Sequence, residues 1–217
     1  MSELFNEVDE EVRREQLKKL WDQYSIYVVA GALLIIAAVG GWRGYQYLEA
    51  QKAAEAGAAF DKAVELSEQN KHAEAETAFN DLAAKAPSGY RLLARLRAAA
   101  EAANRDPQAA AKMYDDIAAD AKVGVPERDL AKVRAAGLLL ESASYPTMLQ
   151  RLEAATGPDA TFHHTARELL ALSAWRANDA AAARKWLDLI ANDGETPPSL
   201  RSRAEALQAL LPPVAKS

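Results

Sequence analysis

A run of 20 residues without a charge, from Gln23 to Trp42 (QYSIYVVAGALLIIAAVGGW), constrains this 217-residue chain more than any other feature. As a helix rising 1.5 Å per residue it spans about 30 Å, the thickness of a bilayer's hydrocarbon layer. Tyr24 and Tyr27 stand near one end, and Trp42, Tyr45 and Tyr47 near the other, which matches the interfacial belts of a spanning helix. Arg43 resumes the charged sequence. The expected transmembrane helix is therefore residues 23–44, bounded by Tyr24 on one side and by Trp42 and Arg43 on the other. A buried helix of a soluble core has no need of aromatic rings at both ends. A cleaved leader would carry a short basic head. Here 22 residues, many of them acidic, precede the run, and the Ala54-Glu55-Ala56 triplet that resembles a cleavage site lies well past it. A retained anchor is expected.

Arg13, Arg14, Lys18 and Lys19 precede the run, whereas Arg43 and Lys52 follow it closely. Basic residues near the ends set orientation, so the N-terminal arm, residues 1–22, is expected in the cytoplasm and the C-terminal domain outside it. Phe5, Val8, Val12, Leu17, Leu20 and Trp21 give that arm a weakly amphipathic helical pattern. Within the run and just past it, Ala37 and Gly41, and likewise Gly40 and Gly44, are small residues four apart. That spacing would let a second membrane helix approach closely.

Beyond the anchor the chain is rich in alanine and poor in β-branched residues, which favours helix because alanine loses no side-chain entropy there. An all-α fold follows. A 35-residue rhythm gives it an architecture. Ala75, Phe79 and Leu82 lead to Pro87 in an A-x3-F-x2-L-x4-P pattern, the second-helix signature of a tetratricopeptide repeat. Ala110, Tyr114 and Ile117 repeat the spacing 35 residues later; Leu149 and Leu152 continue it, with Tyr145 in place of the small residue. Ala183, Leu187 and Ile190 form a fourth copy in shifted register. A small residue lets two helices close up, a bulky one a turn later fills the groove between them, and stacked neighbours supply the core that one pair lacks.

Asp106-Pro107 and Asp179 read as helix caps. Pro126, Pro146 and Thr196-Pro197 read as helix starts, and Pro87-Ser88-Gly89 and Thr156-Gly157-Pro158 as loops. Helix pairs are expected at about 55–86, 90–121, 126–155 and 162–192, with a capping helix at 198–211. The domain would occupy residues 45–211, and residues 212–217 would be a disordered tail. The helix leaving the membrane is expected to run on towards Leu66.

The net charge of −5 gives no electrostatic affinity for phosphate backbones, which argues against nucleic acid. Absence of cysteine excludes disulfides, thiolate metal sites and a cysteine nucleophile. No phosphate-binding loop, dinucleotide fingerprint or nucleophile elbow occurs, so neither an enzyme nor a small-molecule or cofactor site is expected. His72, His163 and His164 are expected as exposed loop or cap residues; adjacent helical positions lie about 100° apart, so the last two would not chelate jointly. Arg95, Arg134 and Trp175 are the candidate residues of a protein-binding groove by register.

The leader, the span ending in Gly41-Trp42-Arg43 and the alanine-rich repeats together resemble the YfgM family, ancillary subunits of the bacterial SecYEG translocon. The segment Tyr90-Arg91-Leu92-Leu93-Ala94-Arg95-Leu96, the stretch Glu168-Leu169-Leu170-Ala171-Leu172 to Asn178-Asp179, and Glu195-Thr196-Pro197 before the last helix are also similar. The resemblance implies an inner-membrane protein with its repeats in the periplasm. It further implies association with the translocon and the membrane-anchored chaperone PpiD, and assistance to newly exported client proteins. Helical repeats of this kind also serve as scaffolds in envelope assembly or division, or tether a signalling regulator.

Overall fold

The computed structural model describes residues 2–212, with side chains at 13, 14 and 18–212. Every regular element among the described residues is helical. They are α1 (Ser2–Glu68), α2 (His72–Lys85), α3 (Ser88–Ala102), α4 (Pro107–Ala119), α5 (Val125–Leu139), α6 (Tyr145–Leu152), α7 (His163–Arg176), α8 (Ala180–Ala191) and α9 (Pro198–Leu210). One turn of 3₁₀ helix, Glu153–Ala155, follows α6. Two compact units are distinguished, residues 1–54 and residues 55–217.

The first unit is helical backbone whose described side chains face outward. Leu33, Leu34, Ile35 and Ile36 are 61–71% exposed, and the most apolar stretch of α1 has no residue buried. A helix this long and apolar can cross a membrane by length and composition. Phe5, Val8, Val12 and Leu17, on which the amphipathic reading of the arm rests, have side chains outside the described residues.

The second unit is the repeat stack, and its hairpins follow the 35-residue rhythm. The end of α1 meets α2 through Phe60 and Phe79, and α3 packs on α4, α5 on α6 and α7 on α8; α2 lies closest to α3 and α4 to α5, so successive pairs interlock, and α9 packs on α8 as the cap. The small-then-bulky register holds in the core. Ala75 and Phe79, Ala110 and Ile117, and Ala183, Leu187 and Ile190 are almost entirely removed from solvent. The third pair departs from the expected register. Met148 and Leu152 are fully buried while Leu149 is only partly so, and the Tyr145 hydroxyl accepts a hydrogen bond from Trp186 Nε1 at 3.0 Å. Leu152 is thus buried where the spacing puts it, whereas Met148 takes the buried place expected of Leu149, and the Tyr145 hydroxyl finds a polar partner at the tip of its ring.

Caps fall where the sequence puts them. Asp106 accepts from the backbone N–H groups of Gln108 and Ala109, Ser144 from Thr147 and Asp179 from Ala182. Asn70 and Asn178 adopt left-handed φ of 60° and 58°, which lets Lys71 N and Asp179 N reach the carbonyls of Leu66 and Ala174. Ser88 and Gly89, expected in a loop, open α3 instead, since Pro87 supplies its N-cap position. The Thr156–Pro158 stretch is a loop as expected. Pro212 is held through its carbonyl by Arg184 at 2.6 Å, and residues 213–217 lie outside the described residues.

Three apolar clusters make up the core. One joins the end of α1 to α2 and α3, the next joins α3, α4 and α5, and the largest joins α5 to α9. Met113 is shared by the first two and Leu139 by the last two. The core is therefore a chain of local units, as in other stacked repeats.

Candidate protein-binding groove

A groove of about 500 Å³ opens across α3, α4, α5 and α7. Leu130, Val133 and Leu138 of α5, Phe162 and Leu169 at and within α7, and Ala100 of α3 make it mainly apolar. Tyr114 forms one wall. Its hydroxyl donates to the Leu96 carbonyl at 3.3 Å, and burial raises its pKa against the opposing pull of Arg134 and Arg97. Arg134 lines the groove from the exposed side of α5 and makes no ion pair or hydrogen bond among the described residues. Gly137, three residues on, leaves part of the wall bare, and a Cβ there would meet nothing within 4 Å. The site thus offers an apolar trough with one unspent cation at its rim. Such a surface can take an apolar side chain with a neighbouring carboxylate.

The other two groove candidates stand elsewhere. Arg95 donates to Asp120 Oδ2 at 2.7 Å and to the Asp116 carbonyl at 3.4 Å, closing the end of the α3–α4 hairpin. That hydrogen bond, helped by the Lys122 N–H, lowers the Asp120 pKa. Trp175 is 44% exposed near the end of α7, outside the groove lining. Of the membrane-segment candidates, Tyr24, Trp42 and Arg43 are exposed, and Trp42 lies 6.4 Å from Tyr45 between ring centroids. Ala37 is exposed, and a Cβ at Gly40, Gly41 or Gly44 would meet nothing within 4 Å.

The histidines are corrected by the structure. None is a bare cap. His72 Nδ1 lies 2.7 Å from Oε2 of buried Glu101, whose Oε1 accepts from Ser67 at 2.6 Å. His163 is buried and His164 half-buried, and their rings sit 3.9 Å apart between centroids. Both face Asp193, in the turn between α8 and α9. Neighbouring positions do diverge by about 100° at the backbone, yet two imidazoles are long enough to lean back onto one acceptor. The Arg167 hydrogen bond, with the Glu195 N–H, holds the Asp193 carboxyl down to about 2, and burial, then His163, lowers the His164 pKa.

Sequence reasoning also missed the ion pairs that tie one repeat to the next. Arg151 forks onto both oxygens of Asp115 at 2.9 and 3.0 Å, and Arg203 onto those of Glu168 at 2.7 and 3.0 Å. The partners are 36 and 35 residues apart, one repeat length, and that spacing is the signal that could have found them.

Helix pairs joined by short turns, packed through a small-then-bulky register and crossed by an open groove, define a helical-repeat interaction scaffold. The chain belongs to the family of tetratricopeptide repeat-like domains, which matches residues 18–185. That match takes in the apolar run as well as most of the repeats, and the family it names is one of binding scaffolds, with no catalytic family indicated. No curated protein and no solved structure compared with the chain matches it.

Proposed function

We propose that this protein is a membrane-anchored binding module that receives segments of other proteins in the groove between α5 and α7. The observation that carries this is an apolar trough with the uncommitted Arg134 at its edge, in a repeat domain whose own chain includes a helix long and apolar enough to span a bilayer. Residues 23–44 form the anchor, with Tyr24, Trp42 and Arg43 at the interfaces. Ala37, Gly40, Gly41 and Gly44 give it a smooth flank for another membrane helix. The arm of residues 1–22 lies in the cytoplasm and the repeats, residues 45–211, in the periplasm of a bacterial inner membrane. Anchoring matters because it turns a weak encounter into one at high effective concentration.

The site of action is the Sec translocon, where the repeats meet exported chains and a PpiD-like anchored chaperone as the chains emerge. Resemblance to the YfgM family supports this placement, and the family match to a tetratricopeptide repeat-like domain supports protein partners. Trp175, exposed near the end of α7, acts at the edge of the contact surface, and Arg95 serves it indirectly by closing the α3–α4 hairpin through Asp120.

Photocrosslinking in cells from position 134, with position 95 as comparison, tests both parts. Capture of translocon subunits and exported chains from position 134, reduced by Gly137→Leu, is the expected result. That substitution fills the trough and also suits a helix better than glycine, so binding is lost without loss of fold. Capture unchanged by Gly137→Leu would overturn the groove. Capture of cytosolic proteins alone would overturn the topology.

A further inference from the structure

We propose that His163, His164 and Asp193 form a binding site for a divalent first-row transition cation of the zinc class. The three donor atoms lie within 4.8 Å of one another. His163 Nε2 and His164 Nε2 stand 3.4 and 3.3 Å from Asp193 Oδ2. Zinc bonds of about 2.0–2.2 Å in a tetrahedron place neighbouring ligand atoms about 3.3–3.5 Å apart, so two edges of such a polyhedron already exist.

The hydrogen bonding of the cluster leaves its lone pairs facing inward. His163 Nδ1 is 2.7 Å from the Ala160 carbonyl, which can only accept, so Nδ1 carries a proton, and in the neutral ring the Nε2 lone pair is turned to Asp193. A carbonyl holding the remote N–H of an imidazole is the usual outer support of a metal-bound histidine. His164 Nε2 is buried and, apart from the Asp193 oxygen 3.3 Å away, to which it makes no well-formed hydrogen bond, meets no polar partner among the described residues. Asp193 is fixed on its other sides: Oδ1 accepts from Glu195 N at 3.0 Å, and Oδ2 takes one bond from Arg167 at 2.8 Å. An oxygen with two lone pairs can serve Arg167 and a cation together. Arg167 is itself pinned to the Thr156 carbonyl at 3.0 Å and acts as the positioning residue for the carboxylate. Two nitrogen donors and one oxygen select zinc-like ions over magnesium or calcium. Bound there, the ion would clamp the start of α7 to the α8–α9 turn, its remaining position open to water or to a partner's side chain.

The test uses the full chain in detergent micelles, free of any histidine tag and treated with chelator, titrated with Co²⁺ and then Zn²⁺. One cobalt per chain, with the intense visible bands of tetrahedral coordination that zinc then abolishes, is the expected result. His164→Phe keeps an aromatic ring, somewhat larger than imidazole, and removes both nitrogen donors, and it is expected to weaken binding by at least about tenfold. Asp193→Asn should weaken binding as well, whereas His72→Ala should leave it unchanged. Circular dichroism checks that each variant keeps its helix content. Cobalt that stays octahedral and weakly bound overturns the proposal, as does a folded His164→Phe variant that binds like the parent chain.

Discussion

Phe79 carries the first of the three core clusters, and removing its ring tests whether stability is local to a repeat. The side chain is wholly buried and meets Phe60 edge-on, with ring centroids 5.2 Å apart at 62°. Deleting a buried phenylalanine costs about 3–5 kcal/mol, of which the edge-to-face contact itself contributes about 0.5–1.5 kcal/mol. Ala75, Ala94 and Ala98 line the same cluster, and their small side chains cannot reach in to refill the void. The upper part of the range is therefore expected for Phe79→Ala. The cluster shares Met113 and helix α3 with the next one and nothing with the largest among the described residues, so the loss should stay mainly in the end of α1, α2 and α3. At about 1.4 kcal/mol per tenfold change, amide exchange there should accelerate by about three to three and a half orders of magnitude. Exchange in α7 and α8, which belong to a different cluster, should change far less. Hydrogen exchange read by mass spectrometry on the full chain resolves these segments. Equal acceleration in α2 and α8 would refute the picture of coupled local cores and show one cooperative unit.

Gly137→Ala should stabilise the domain by about 0.5–1 kcal/mol, since helical glycine wastes entropy and the added Cβ meets nothing within 4 Å; denaturant unfolding of the full chain measures it. For Asp120 the folded pKa lies below the ordinary 3.8 because Arg95 hydrogen-bonds the carboxylate. A depressed carboxylate contributes stability that is present above its unfolded pKa and lost as pH falls through the folded one. Arg95→Gln should therefore bring the Asp120 carboxyl titration, followed by NMR, back up towards 3.8, and an unchanged titration would show that Arg95 is not the cause.

The separate elements of this protein were legible in one dimension. A charge-free run long enough for a bilayer, proline and aspartate at helix starts, and a small residue four before a bulky one depend only on local sequence. Hence the four pairs, the cap and the Asp106 and Asp179 hydrogen bonds were all readable from it. Register put Arg95, Arg134 and Trp175 on one face, and of the three Arg134 lines the groove while Arg95 and Trp175 stand away from it. What lay out of reach depends on which distant surfaces meet. Tyr145 finds its polar partner in Trp186, 41 residues away, and Met148 rather than Leu149 is fully buried in the third pair. Arg95 is spent on Asp120, and His163 and His164 converge on Asp193, because folding brings those turns together. Periodicity fixes which face of a helix is buried. The partner awaiting a polar side chain on that face is set by packing between repeats, and no local pattern encodes it.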